Sequence, residues 1–319
     1  MDPAHYQTVP LSQINSQIET FRITTREDVA ELLVSIQHDG LISPPLLTLN
    51  NGSYTIVCGF RRVAACRKLG WHAISAGILE PDKGDLDCLR VAIADNAFQR
   101  PLNLIETSRA LHKLDALTGA GNQLFEIAAG LGLPANPAVI SKIRDLCLLP
   151  APIQRSILDD TISLSMANEL ATLDSDSALA FARLFDGLKL SLNKQKEIIM
   201  LITEISRREN IAGLQVLQDQ KLREIIDSED LDRGQKGRYV RAFLRQRRFP
   251  RIVSAEKKYD LHCKNLKLGS DIKLIAPKEF EGTTYTLNLN FSNLAHLKAQ
   301  HQKLSQIIEH PSLKKILAE

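Results

Sequence analysis

Positions 56–70 read IVCGFRRVAACRKLG: a β-branched pair, a glycine, two adjacent arginines and an alanine-rich run. Strand residues, a turn and a helix start in that order place the unpaired N–H groups of a helix N-terminus, with their partial positive charge, beside two guanidinium groups. Gly59 has no side chain to keep an oxyanion from the backbone, and Arg61 and Arg62 each offer a planar fork of donors suited to phosphate oxygens. Each charge-assisted contact of this kind contributes roughly 1.5–3 kcal/mol. The alternative, two arginines solvated in the first turn of a helix, sets both against the dipole; the anion reading is therefore favoured.

A second cluster lies in VAIADNAFQRPLNLIETSRAL, residues 91–111. A helix from Asp85 should end before Pro101, which leaves Asp95 and Asn96 near its C-terminal end. There a carboxylate and an amide oxygen either hold Mg²⁺ together with ligand phosphates or cap the local backbone. Asn103 followed by Glu106 has the spacing of a capping box for the next helix.

A third stretch, NQLFEIAAGLGLPANPAVISKIRDLCLLP (122–150), predicts a helix through Leu131, a break around Gly132 to Asn136, and a second helix that Asn136 caps, Pro137 starts and Pro150 closes. Ala128 and Gly132 stand four apart, as close helix crossing requires. Ser141, Lys142 and Arg144 are the exposed positions that could reach bases or phosphates of duplex DNA.

The elements that must position these groups are legible in outline. TREDVAELLVSIQHDG predicts a helix capped by Thr25, with Val29, Leu32, Leu33 and Ile36 on one face and Gly40 as its stop. Two short strands flank Asn51-Gly52, a hairpin pair, and a helix runs from Arg61 to Leu69 with Gly70 after it. From Asp85 to about Met200 the pattern is helical, broken at Pro101, Gly119 to Gly121, Pro134 to Pro137 and Pro150 to Pro152. In the tail, helices near 254–266 and 293–308 enclose strands near 272–276 and in TTYTLNLNF, where Tyr285, Leu287, Leu289 and Phe291 form the expected buried face. The expected fold class is α+β. Its divisions are a mixed α/β domain over 1–84, an all-helical helix-turn-helix domain over 85–204, a charged helical connector over 205–250, and a small α/β module over 251–319, suited to dimerisation.

Composition narrows the function classes. The 319 residues are 44% apolar and 24% charged, and no run reaches the roughly 18 apolar residues of a membrane span. A cytoplasmic location is expected. Five scattered cysteines and eight histidines show no zinc spacing. The net charge of +3 is modest, but KGRYVRAFLRQRRFPR (236–251) holds seven basic residues and no acidic one, either a nucleic-acid stripe or a solvated helix face.

The order VPLSQI, LLVSIQHDGLISPPLLTL, GSYTIVCGFRRVAACRKLGW, VAIADNAFQRPLNLIETSRAL resembles the N-terminal domain of ParB/RepB-type chromosome and plasmid partition proteins, which belongs to the sulfiredoxin superfamily. The resemblance implies a nucleoid-associated, dimeric protein that binds DNA through a helix-turn-helix and in which CTP with Mg²⁺ regulates clamping or spreading. By position, Gly59, Arg61 and Arg62 would take the phosphates and Asp95 and Asn96 the metal, with Ser141, Lys142 and Arg144 toward DNA.

Phe60 replaces the family box's glutamate, Ala64 its later arginine, and Ser43 a glutamine before proline, while Arg100 stands where an acidic residue often helps hold the metal. The machinery of a weak CTPase is thus only partly retained. A ParA-type ATPase is the family's usual partner, engaged through a short basic N-terminal segment; the domain here starts almost at Met1, which counts against that partner. Two other readings stay open: a sequence-specific regulator without nucleotide gating, and a phosphoryl-transfer enzyme of the sulfiredoxin type. For the latter, Cys58 precedes the glycine instead of following it and reads more simply as a small buried residue.

Overall fold

The computed structural model describes residues 5–50, 52–80, 83–119 and 122–317. Its contacts divide the chain into two compact units that meet at Leu192 and Asn193, so the divisions expected at 84 and 204 fall elsewhere.

The first unit opens with strands β1 (His5–Pro10) and β2 (Ile14–Asn15), helix α1 (Ala30–Asp39), strands β3 (Leu46–Asn50) and β4 (Ser53–Cys58), helix α2 (Phe60–Lys68) and strand β5 (Ala73–Ile78). These strands form one mixed sheet in the order β1-β5-β3-β4-β2. Strand β4 pairs antiparallel with β3 and parallel with β2, and Thr55 through Cys58 are all buried. Covering on both faces explains why this strand reads as a continuous apolar run instead of an alternating one. On one side Ile56 packs with Ile36 of α1 and Val63 and Cys66 of α2; on the other Val57 and Cys58 pack with the next helices. The hairpin closes between Asn50 and Ser53 with Gly52 at φ 81°, while Asn51 lies outside the described residues. Helix α2 ends as expected at Gly70, where Gly70 N–H reaches Arg67 O and Trp71 N–H reaches Cys66 O.

Thr25 does not cap α1. Val29 stands at the N-cap, and Asp28 before it accepts from Ala30 N–H at 2.9 Å through Oδ1, while Thr25 is drawn away to a buried carboxylate described below.

Helices α3 (Asp85–Ala97), α4 (Leu104–Thr118), α5 (Asn122–Gly130), α6 (Pro137–Ile143), α7 (Ala151–Leu158), α8 (Leu164–Leu170) and α9 (Ser175–Leu188) complete the unit. One hydrophobic cluster runs without a break from Val57 and Cys58 through Leu89 and Ile93, then Leu111 and Leu114, to Ala128, Ile140 and Ile143. Residues from 85 onward therefore share a core with the sheet. Met166, Ala167 and Leu170 are fully buried, as their spacing implies. Of the break expected at 119–121 only Gly119 is described, at φ 70°.

The second unit holds α10 (Leu192–Glu209), α11 (Gly213–Leu217), α12 (Gln220–Asp227), α13 (Arg233–Arg248), α14 (Pro250–Leu266), β6 (Ile272–Ile275), β7 (Thr286–Leu289), α15 (Leu294–Glu309) and α16 (Pro311–Leu317). Ile205, Val216, Leu222, Val240 and Leu244 are buried, so 205–250 is a packed helical layer and not a bare connector. Strands β6 and β7 pair antiparallel over a small core of Leu266, Ile272, Ile307 and Ile316. Tyr285, Leu287 and Leu289 join that core. Phe291, expected with them, is 55% exposed, because β7 ends at Leu289 before the alternation reaches it.

Candidate functional site

A cavity of about 460 Å³ in the first unit is lined by Gly59, Arg61, Arg62, Asp95 and Asn96 together, with Thr24, Arg26, Ser43, Cys58, Gln99 and Arg100. All five nucleotide-site residues expected from the sequence thus meet at one place. They come from two elements 33 residues apart, the β4–α2 turn and the end of α3, which the shared core holds side by side.

Gly59 sits at the N-cap of α2 with φ 90° and ψ 28°, a left-handed conformation that side chains resist. A Cβ there would meet Pro45 Cβ at 2.9 Å and Arg62 Nε at 3.1 Å. The glycine is required first by the close passage of the Pro45 segment, a constraint the strand-turn-helix pattern does not display.

Neither arginine is a freely solvated charge. Arg61 donates Nε–H and Nη2–H to Asp28 O, at 2.9 and 2.6 Å. Arg62 donates Nη1–H to Ser43 O, Ser43 Oγ and Pro44 O at 2.8, 2.8 and 3.1 Å. These acceptors are almost all neutral, so they fix the geometry and leave the positive charge in place. The one carboxylate nearby, Asp95, stands 3.4 Å from Arg62 Nη2 and also accepts from Gln99 Nε2 at 3.1 Å. Asn96 turns its Nδ2 back to Ala92 O at 2.8 Å, which leaves its Oδ1 as the group that could ligate. Among the described residues no three His, Cys, Asp or Glu side chains stand close enough to hold a metal by themselves. The donor set here, one carboxylate and one amide oxygen, matches a Mg²⁺ carried mainly by phosphates and water.

Arg100 is committed elsewhere. It forks onto Glu106, Nη1 to Oε2 at 2.6 Å and Nη2 to Oε1 at 2.7 Å. Glu106 is completely buried and also accepts from Thr25 N–H at 2.9 Å and Asn103 N–H at 3.1 Å. Burial alone would raise its pKa, but the Arg100 fork and the two backbone N–H groups outweigh it and take the carboxyl down to about 2. The capping box with Asn103 is present as the spacing implied. That the same carboxylate also secures the cavity wall at Thr25, 81 residues away, was not visible in the sequence.

Helix α4 extends this grip along its length. Glu106, Arg109 and Lys113 form one stripe. Arg109 donates to Thr24 O at 2.8 Å, and Lys113 to Glu19 O and Thr20 O at 2.7 and 2.6 Å. Ser108, His112 and Asp115 form another. Ser108 Oγ donates to Arg144 O and accepts from Cys147 N–H, His112 faces Asp145, and Asp115 pairs with Arg144 at 3.0 Å. The i, i+3, i+7 and i, i+4, i+7 spacings put each set on one face. The helix therefore joins the wall of the cavity to the segment that follows α6.

The helix pair at 122–148 folds as expected at its start. Asn136 Oδ1 accepts from Ala138 and Val139 N–H, and Pro137 stands at the first helical position. Gly132, at φ 72°, ends α5 with Leu133 N–H on Ala128 O. An added Cβ at Gly132 would meet nothing, so the residue is needed for its backbone angle and not for close crossing. The second helix is shorter than its sequence suggests, giving way after Ile143 to a 3₁₀ turn over Arg144–Leu148. Ser141 and Lys142 are exposed on α6. Arg144 is not comparably available: it forks onto Asp145 at 2.9 and 2.8 Å and pairs with Asp115, and these contacts raise its pKa further.

Cys58 is 2% exposed and its thiol is pushed well up by burial, then by Asp95, which suits a packed residue and not a nucleophile. In the basic stripe of 236–251, Arg238 and Arg251 are exposed, but four of the seven basic residues are paired with carboxylates. Arg241 pairs with Glu197, Arg245 with Glu256, Arg247 with Glu209 and Asp219, and Arg248 with Glu204.

Among the described residues no helix is long and apolar enough to cross a membrane. A family profile for the ParB N-terminal domain matches residues 2–97. The chain is 31% identical over 151 residues to a nucleoid occlusion protein of Halalkalibacterium halodurans, covering 47% of this chain and 51% of that protein, so it spans about half the length of that relative. It is 27% identical over 211 residues to a probable chromosome-partitioning protein ParB of Treponema pallidum, covering 66% and 63%. Solved structures of Caulobacter crescentus ParB are also similar. One, complexed with CTP-gamma-S, has 23% identity and TM-score 0.28 over 57% of this chain and 98% of that one; another, complexed to the centromeric parS site, has 21% identity and TM-score 0.34 over 59% and 96%. Residues 2–97, which hold the Gly59 turn and the Asp95 helix, are thus the part of the chain that matches the ParB N-terminal domain family.

Proposed function

We propose that this chain is a DNA-binding partition protein of ParB type, acting as a homodimer, in which a nucleoside triphosphate held in the cavity regulates how the protein clamps or spreads on duplex DNA. The observation that carries the reading is convergence. Gly59, Arg61, Arg62, Asp95 and Asn96 line one cavity, and α4 ties its wall to the helix pair. Arg61 and Arg62 take the phosphates, since Arg61 is held by a neutral carbonyl and Arg62 by neutral oxygens together with one long contact of 3.4 Å to Asp95. Asp95 and Asn96 would hold Mg²⁺ with those phosphates, and the ion would screen the triphosphate charge. Lys142 and Ser141 meet the duplex, while Arg144 braces α4.

The CTP-gamma-S bound by the Caulobacter relative makes CTP the first nucleotide to test. Calorimetric titration with each of the four triphosphates, with and without Mg²⁺ and DNA, should select one base, and Arg62→Gln should weaken that nucleotide at least tenfold. No binding of any triphosphate defeats the nucleotide reading and leaves an ungated DNA-binding regulator. Lys142→Ala should lower duplex affinity about tenfold and reduce the salt slope by about one phosphate contact; unchanged affinity at matched salt removes α6 from the interface.

A further inference from the structure

A second cleft, also of about 460 Å³, lies between α2 and the segment that leads to α1, lined by Ser16, Arg22, Arg26, Glu27, Ala64 and Arg67 among others. It shares only Arg26, Phe60 and Arg61 with the nucleotide cavity. Four arginines and one carboxylate, Glu27, are among its lining residues.

Their partners decide what charge remains. Arg22 pairs with Glu19 and, at 3.5 Å, with Glu27, yet its Nε is buried without an acceptor. Arg67 donates to Ser16 Oγ, Leu11 O at 3.0 Å and Ile14 O at 2.5 Å, all neutral groups. Arg61 is held by Asp28 O, and the Arg26 side chain has no carboxylate partner among the described residues. Three of the four charges are thus uncancelled, and one buried donor lacks its acceptor, a situation that costs free energy until an acceptor arrives.

We propose that this cleft is a second oxyanion site, distinct from the nucleotide cavity, which takes a phosphoryl group through the uncancelled charges of Arg26 and Arg67, with Arg22 and Ser16 as further donors. The phosphoryl group belongs either to a free polyphosphate or to a nucleic-acid backbone. Ala64, exposed on α2 and absent from the nucleotide cavity, gives the means to address the cleft alone.

The test is a titration of the full chain at 150 mM salt with pyrophosphate in one arm and a short DNA duplex in the other, following the amide resonances of Ser16 and Arg67. Saturable shifts with one probe and not the other identify the source. Ala64→Glu should weaken the binding at least tenfold, Ala64→Gln by less than twofold, and Arg62→Gln should leave the Ser16 and Arg67 shifts in place. No saturable shift from either probe overturns the proposal, as does equal loss in Ala64→Gln, which would make the effect steric. Equal loss in Arg62→Gln would assign a single site shared with the nucleotide cavity and also overturn it. The cleft and the cavity therefore fail separately.

Discussion

Two arginine-rich stretches of this chain have opposite fates. At 61–62 the guanidinium groups are held mainly by main-chain carbonyls, whereas at 241–248 they are held by carboxylates from α10, α14 and the 209–219 segment. A carbonyl orients an arginine without neutralising it; a carboxylate does both. The first stretch therefore keeps a field that can attract an anion, although it has two arginines where the second has four of the seven basic residues in 236–251. Density of basic residues in the sequence was the misleading signal, and the identity of the acceptor is the informative one.

The comparison is broken most severely at the turn that aims the first pair. Gly59→Ala must accept φ 90° and a contact of 2.9 Å with Pro45, and should cost about 4 kcal/mol in denaturant unfolding of the first unit while leaving the second unchanged.

Next comes Glu106, whose loss releases Arg100 and Thr25 from the cavity wall. Its carboxyl titrates near 2 in the fold against about 4.5 otherwise, so its contribution is fully present above pH 4.5 and is lost as pH falls toward 2. Glu106→Gln should remove on the order of 3 kcal/mol at neutral pH and flatten the stability profile between pH 5 and 2. An unaltered acid limb in the variant would show that other carboxylates govern acid unfolding.

The smallest effect belongs to the neutralised stretch. Arg247→Gln breaks pairs with Glu209 and Asp219 that are about a quarter exposed, and should lower the stability of the second unit by about 1 kcal/mol in 50 mM salt and by less in 0.5 M. Duplex affinity should stay within twofold; a steep fall would mean that the ion pairs open to receive nucleic acid and that the contrast between the two stretches is too sharply drawn.

Local signals were legible wherever one stretch of chain supplies both the demand and its answer. Asn136 caps α6, Asn103 and Glu106 close a capping box, and Gly70 and Gly132 end helices, because each motif satisfies backbone groups only a few residues away. Thr25 misled for the opposite reason. Its cap spacing is sound, but a buried carboxylate with four hydrogen-bonding partners outbids an exposed helix end. Phe291 continues an alternation that its strand does not.

By itself the sequence determined the strand, the positive-φ turn and the helix that present Gly59, Arg61 and Arg62, since these depend on steric and backbone rules within a dozen residues. Only the tertiary structure decided which charges survive. Whether an arginine meets Asp28 O, 33 residues back, or Glu197, 44 residues back, depends on how distant elements pack, and electrostatic partners at such separations leave no local periodicity to read.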